Sequence, residues 1–116
     1  LSKQASTEIE EISESEEETQ KSVRCRNCSY TITDPTLERQ PYEHTFRNPG
    51  GYSFHVVCYS DAPGTIDAGD PTTEHSWFAG YAWSFAVCAQ CHQHLGWWFL
   101  GRDRFAGLIA QRLIRK

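Results

Sequence analysis

Methionine is absent from this 116-residue chain. So is any apolar run approaching the roughly 20 residues that a membrane-spanning helix needs, and no membrane partner is expected. Large apolar residues are scarce at the start as well. Residues 1–22 are mostly Ser, Thr, Glu, Gln and Lys, with Ile9 and Ile12 as the large apolar side chains after Leu1. Such a segment buries too little surface to offset its ordering entropy, so an acidic, disordered tail is expected over 1–22 and a folded domain over 23–116. Strong positive charge is missing too. Residues 1–20 hold seven Glu and one Lys (net −6), whereas residues 21–116 hold eight acidic and ten basic residues (net +2). A near-neutral domain argues against a nucleic-acid partner, whose phosphates call for a basic patch. No signal peptide is visible; localisation stays open, with cytoplasm or nucleus expected ahead of secretion.

A chain of this length forms one domain, and so small a core often needs a metal or a disulfide. Five cysteines are present. Four form two C-x-x-C pairs, Cys25-Arg-Asn-Cys28 and Cys88-Ala-Gln-Cys91, with 59 residues between them. One tight C-x-x-C turn offers two thiolates to an ion, and two such turns complete a tetrahedral shell with no open position for water. The expected cofactor is therefore one structural Zn²⁺ on Cys25, Cys28, Cys88 and Cys91, clamping two distant β segments. Two short disulfides explain the shared spacing less well, and a thioredoxin-like redox pair needs a βαβ setting that the pattern lacks. Cys88-x-x-Cys91-His92 matches a haem-attachment pattern. That reading leaves Cys25 and Cys28 without a role, and with no methionine there is no Met axial ligand. Asn27-Cys28-Ser29 matches the glycosylation pattern, but a sugar beside a metal ligand is discounted. Cys58 lies in an apolar alternation, where a free cysteine acts as a small buried hydrophobe rather than a nucleophile.

The remaining pattern is mostly β. Over 52–59, Tyr52, Phe54, Val56 and Cys58 share one face, and over 82–87 Trp83, Phe85 and Val87 do the same. Residues 95–100 make a third strand candidate. Asn48-Pro49-Gly50-Gly51 predicts a turn, and Asp61-Ala-Pro-Gly64 predicts the start of a loop running to about Pro71. Residues 105–114 suit either a helix or, over 105–110, a further strand.

Aromatic residues are concentrated around the second Cys pair. Trp77, Phe78, Tyr81, Trp83, Phe85, Trp97, Trp98 and Phe99 are 8 of the 15 aromatics and include all four tryptophans. Trp97 and Phe99, two apart on a strand, share a face, and Trp98 points to the other. Trp83 on the strand entering the second Cys pair and Trp97 on the strand leaving it are placed to face each other, with Trp77 closing a third side. Plain core packing and a ligand cage both fit this spacing.

Three stretches carry a resemblance. Thr73-Glu74-His75-Ser76-Trp77-Phe78-Ala79-Gly80-Tyr81-Ala82-Trp83, then Cys88-x-x-Cys91-x-x-His94-Leu95-Gly96-Trp97-x-Phe99, and the ending Phe105-x-Gly107-Leu108 resemble the cereblon thalidomide-binding (CULT) domain family. Asn48-Pro49-x-Gly51-Tyr52 and the first Cys pair align in the same order, so the resemblance covers about residues 23–114. It implies a mostly β fold, a β-tent of two antiparallel sheets pinned by one four-cysteine zinc site. It also implies a pocket walled by Trp77, Trp83 and Trp97 with Phe99 as floor. The implied ligands are cyclic imides: glutarimide drugs of the thalidomide type, and cyclised Gln or Asn at peptide C-termini. The imide would meet the backbone at His75 and Trp77, with the Asn48 side chain at the rim. The ligand-binding residues expected on this basis are Asn48, Pro49, Glu74, His75, Ser76, Trp77, Phe78, Trp83, Trp97 and Phe99. The resemblance implies binding without catalysis by a monomer. Degron recognition for a ubiquitin ligase is implied only within a larger chain, since the Lon-like and adaptor-docking regions are not in this sequence. Two alternatives stand beside this reading. One is an aromatic cage for a methylated ammonium, with Glu74 the nearest carboxylate in sequence. The other is a methionine-sulfoxide-reductase-like enzyme, for which Cys58 is the only thiol outside the zinc shell.

Overall fold

The computed structural model describes residues 22–115, so the tail expected over 1–22 lies, apart from Ser22, outside the described residues. Among the described residues there are nine strands, two short 3₁₀ turns and no α-helix. The strands are β1 (Val23–Cys25), β2 (Thr31–Thr33), β3 (Glu38–Arg47), β4 (Ser53–Tyr59), β5 (Thr65–Thr72), β6 (Ala82–Cys88), β7 (His94–Leu100), β8 (Arg104–Ile109) and β9 (Leu113–Arg115). They form two antiparallel sheets, a small one ordered β2-β1-β9 and a large one ordered β3-β4-β8-β7-β6-β5.

The large sheet is covered on both faces, and the alternation of its strands decides what goes where. Trp98 joins Val23, Cys25, Ile32, Leu95, Ala106, Leu108 and Leu113 in a core shared with the small sheet. Trp97 and Phe99 face the opposite way, with Val56, Cys58, Phe105 and Ile109, under a roof of partly buried aromatics that includes Trp77, Phe78 and Trp83. Cys58 is 1% exposed within this second core, and burial pushes its thiol up to about 11. That places it as a protonated, inert packing residue.

The ambiguous C-terminal stretch is a strand. Residues 104–109 pair with β7 and β4, and a 3₁₀ turn at Ala110–Arg112 leads into β9. The loop expected to run from Asp61 to about Pro71 is corrected: β5 begins at Thr65 and pairs with β6 through Thr65↔Cys88 and Ala68↔Phe85. It is an edge strand, mostly exposed and interrupted by a register shift before Thr72. Gly69, Asp70 and Pro71 weaken its pattern, and edge strands tolerate such residues because one side of the backbone has no ladder to satisfy.

Gly64 joins the two sheets. Its N–H donates to the Ile32 carbonyl of β2 (2.8 Å), and its carbonyl accepts from Ala89 in the second Cys turn (2.9 Å). A Cβ at Gly64 would stand 2.2 Å from the Thr31 carbonyl oxygen, so no other residue permits this approach.

Candidate metal centre and aromatic pocket

The two C-x-x-C turns are built alike. In each, the first cysteine's carbonyl accepts from the residue four positions on, Ser29 to Cys25 (2.7 Å) and His92 to Cys88 (2.9 Å). Its N–H donates five positions on, to Tyr30 and Gln93 respectively. Ser29 and His92 both take positive φ, 67° and 64°, which turns the chain back and frees both thiols to one side. One turn follows β1 and the other links β6 to β7, so the four sulfurs meet at the seam between the sheets.

All four sulfurs lie within 4.8 Å of one another, and the short separations, Cys25–Cys91 at 3.7 Å and Cys28–Cys88 at 3.6 Å, run between the turns. A tetrahedron with metal–sulfur bonds of about 2.3 Å has edges of about 3.8 Å, so the donor set fits a four-thiolate ion. A disulfide needs about 2.05 Å, and all five cysteines are free. Burial pushes the Cys25 thiol up to about 12, whereas the Asn27 side chain, followed by the Gln93 backbone, holds Cys91 down at about 6. Four thiolates this close repel one another, and a bound cation is what lets all of them ionise.

A cavity of about 300 Å³ opens on the other face of the large sheet. It is lined by Asn48, Pro49, Phe54, His75, Trp77, Trp83, Phe85, His94, Trp97 and Phe99. Trp97 and Trp77 meet edge to face at 4.7 Å between ring centroids. Trp77 stacks on Phe46 of β3, and Trp83 is fixed by its indole N–H, which donates to the Glu74 carbonyl (2.7 Å). The hairpin turn from β3 to β4 holds Asn48 at the rim. Its Oδ1 accepts from the Tyr52 N–H (2.9 Å), which leaves its amide N–H groups to offer. The backbone N–H and C=O groups of His75 and Trp77 find no partner among the described residues, and His75 has a positive φ of 56°.

Seven of the ten residues expected at the ligand site lie on this cavity: Asn48, Pro49, His75, Trp77, Trp83, Trp97 and Phe99. Glu74 does not; its carbonyl holds Trp83 and its exposed carboxylate sits 3.7 Å from the His75 ring. Ser76 bonds the Phe78 backbone, and Phe78 packs beneath the loop on Phe46, Phe99 and Phe105. Phe54, Phe85 and His94 line the cavity and were not among the expected ligand residues. Phe85 was readable from period two, since it shares its strand face with Trp83, whereas Phe54 shares its face with Tyr52, Val56 and Cys58, none of them expected at the site. His94 was not readable in this way: Ala86 pairs with Gly96 but Val87 pairs with His94, so Leu95 is an extra residue. That bulge swings the His94 ring onto the pocket side, 5.1 Å from Trp97 and 5.2 Å from Phe85.

Together these features define a two-sheet β domain with four cysteines placed to hold a metal ion at the seam and an aromatic pocket opposite them. No family model matches the chain. It is similar to protein cereblon of Gallus gallus, 38% identical over 73 residues, covering 58% of this chain and 16% of that protein. The cereblon of Danio rerio is 40% identical over 73 residues, covering 58% of this chain and 17% of that protein. That of Drosophila willistoni is 56% identical over 45 residues, covering 39% of this chain and 6% of that protein. These matches are consistent with a cereblon-like (CULT) domain. It spans about a sixth of the length of the first two relatives.

Proposed function

We propose that the domain is a binding module for cyclic imides, held together by zinc and performing no chemistry on its ligand. The observation that carries this reading is the pairing of a Trp77–Trp83–Trp97 enclosure with unpartnered backbone groups at His75 and Trp77. A flat, neutral ring gains dispersion and apolar burial from the indoles. Its imide N–H and carbonyls need matched partners, because an unpaired polar group in a dry pocket is costly. At about −1 kcal/mol per heavy atom, an eight-atom glutarimide reaches roughly micromolar affinity. Cyclised Gln or Asn at a peptide C-terminus presents the same imide, and within a longer chain such recognition would serve a ubiquitin-ligase receptor. A cation cage is disfavoured, because the lining contains no carboxylate. Reductase chemistry is disfavoured by the buried Cys58 thiol.

The test is calorimetric or fluorescence titration with glutarimide, open-chain glutamine and tetramethylammonium. Glutarimide should bind at roughly micromolar strength, as its atom count implies, and the other two far more weakly. Trp83→Ala should remove most of this binding while metal content and the circular-dichroism spectrum persist. Equal binding of glutamine and glutarimide would overturn the reading.

A further inference from the structure

Arg112 ends the 3₁₀ turn before β9, away from the lining of the cavity, yet it touches the pocket wall. One guanidinium nitrogen donates both to Nδ1 of His94 (3.1 Å) and to the His94 carbonyl (2.8 Å). On the far side of the ring, Nε2 lies 2.8 Å from the Gly96 carbonyl. A carbonyl only accepts and a guanidinium only donates, so these two partners select one form of the ring: neutral, with its proton on Nε2. The same turn is gripped from the metal side. Arg26, inside the first C-x-x-C turn, donates to the carbonyls of Gln111 (3.1 Å) and Leu113 (2.9 Å), and its N–H donates to that of Arg112 (3.0 Å).

We propose that Arg112 is a positioning residue of the pocket: it locks the His94 ring, and through it the Trp97–Phe85 side of the cavity, to the first cysteine turn. His94 packs edge to face on both rings, so its orientation sets theirs. The groups packed around His94 are Phe85 of β6, Trp97 of β7 and Arg112 of the turn, and the charged one among them is Arg112. Burial first, and then the Arg112 charge, lowers the proton affinity of the imidazole. A metal-pinned turn thus supports a wall on the opposite face of the large sheet through two arginines and one histidine.

The first readout needs no ligand. Nitrogen-15 NMR of the metal-loaded protein should show His94 as the neutral Nε2–H form through mildly acidic pH. In Arg112→Met the ring should exchange between tautomers and take up its second proton at higher pH than in the wild type. Arg112→Lys, which keeps the positive charge and a donor, should restore part of the wild-type signature. The second readout rests on the imide reading: Arg112→Met should weaken glutarimide by about tenfold, the scale of one lost charge-assisted hydrogen bond, with an added loss at acidic pH. A His94 tautomer and titration unchanged in Arg112→Met would overturn the proposal, whatever the ligand does. If the wild type binds no glutarimide, the proposed function fails while the NMR result still decides the role of Arg112.

Discussion

The Phe46 and Trp77 rings lie 4.6 Å apart and within 5° of parallel, so one wall of the pocket is itself backed by an aromatic from β3. Phe46 also meets Phe78 edge to face at 5.3 Å and pairs across the hairpin with Phe54, a lining residue. The wall is therefore backed by β3, a strand none of whose described side chains lines the cavity. Phe46→Ala should leave Trp77 free to collapse into the cavity. We expect glutarimide affinity to fall about tenfold, in line with the energy of one good aromatic contact. Isothermal titration, with melting temperature as the control for global damage, checks this.

The metal centre predicts a composition. Purified protein should carry one zinc per chain by elemental analysis, and chelation should unfold the domain, because the seam between the sheets loses its pin. Cys58→Ala should leave metal content unchanged, since Cys58 lies in the second core and not among the four sulfurs. Cys88→Ser should lose the ion and the cooperative melting transition together.

Close backbone approach sets a third expectation. A Cβ at Gly96 would sit 2.1 Å from the Gly107 carbonyl, and one at Gly64 2.2 Å from that of Thr31. Neither neighbour is a flexible side chain that can yield. Gly64→Ala and Gly96→Ala should each destabilise by about 3 kcal/mol, the upper range for overpacking. Urea unfolding of the metal-loaded protein measures it.

His94 makes stability depend on pH. Its folded-state affinity for a proton is lowered from the ordinary 6.5, chiefly by burial. The unfolded chain therefore binds a proton that the folded chain resists, and stability falls as pH drops below about 6.5, by at most about 1.4 kcal/mol per unit. Acid also protonates the metal thiolates, so the comparison that isolates His94 is wild type against His94→Gln at equal metal loading. The wild type should lose more stability between pH 7 and 5.5 than the variant.

Trp83→Phe separates ring from hydrogen bond. It keeps an aromatic wall but drops the 2.7 Å bond to Glu74, which ties the loop after β5 to β6. A stability loss of about 1 kcal/mol is expected, with a larger proportional loss in ligand affinity than in melting temperature.

The amino-acid sequence by itself determined the features that depend on local spacing. Two C-x-x-C pairs specify four thiols in two tight turns, because that spacing admits little else. Period two puts Trp97 and Phe99 on one face and Trp98 on the other, and in the structure they do fall into separate cores. It likewise aligns Trp83 with Phe85. Only the tertiary structure decided what depends on register and on partners distant in the chain. The extra residue at Leu95 carries His94 into the pocket, and a bulge leaves no mark in an alternation read along one strand. β5 looks like loop because an edge strand needs neither apolar residues nor unbroken pairing. Phe46 and Arg112 reach the site only because β3 closes on β4 and the terminal turn closes on β7. Such contacts join residues 18 or more positions apart, 31 for Phe46 and Trp77, and no local preference encodes them.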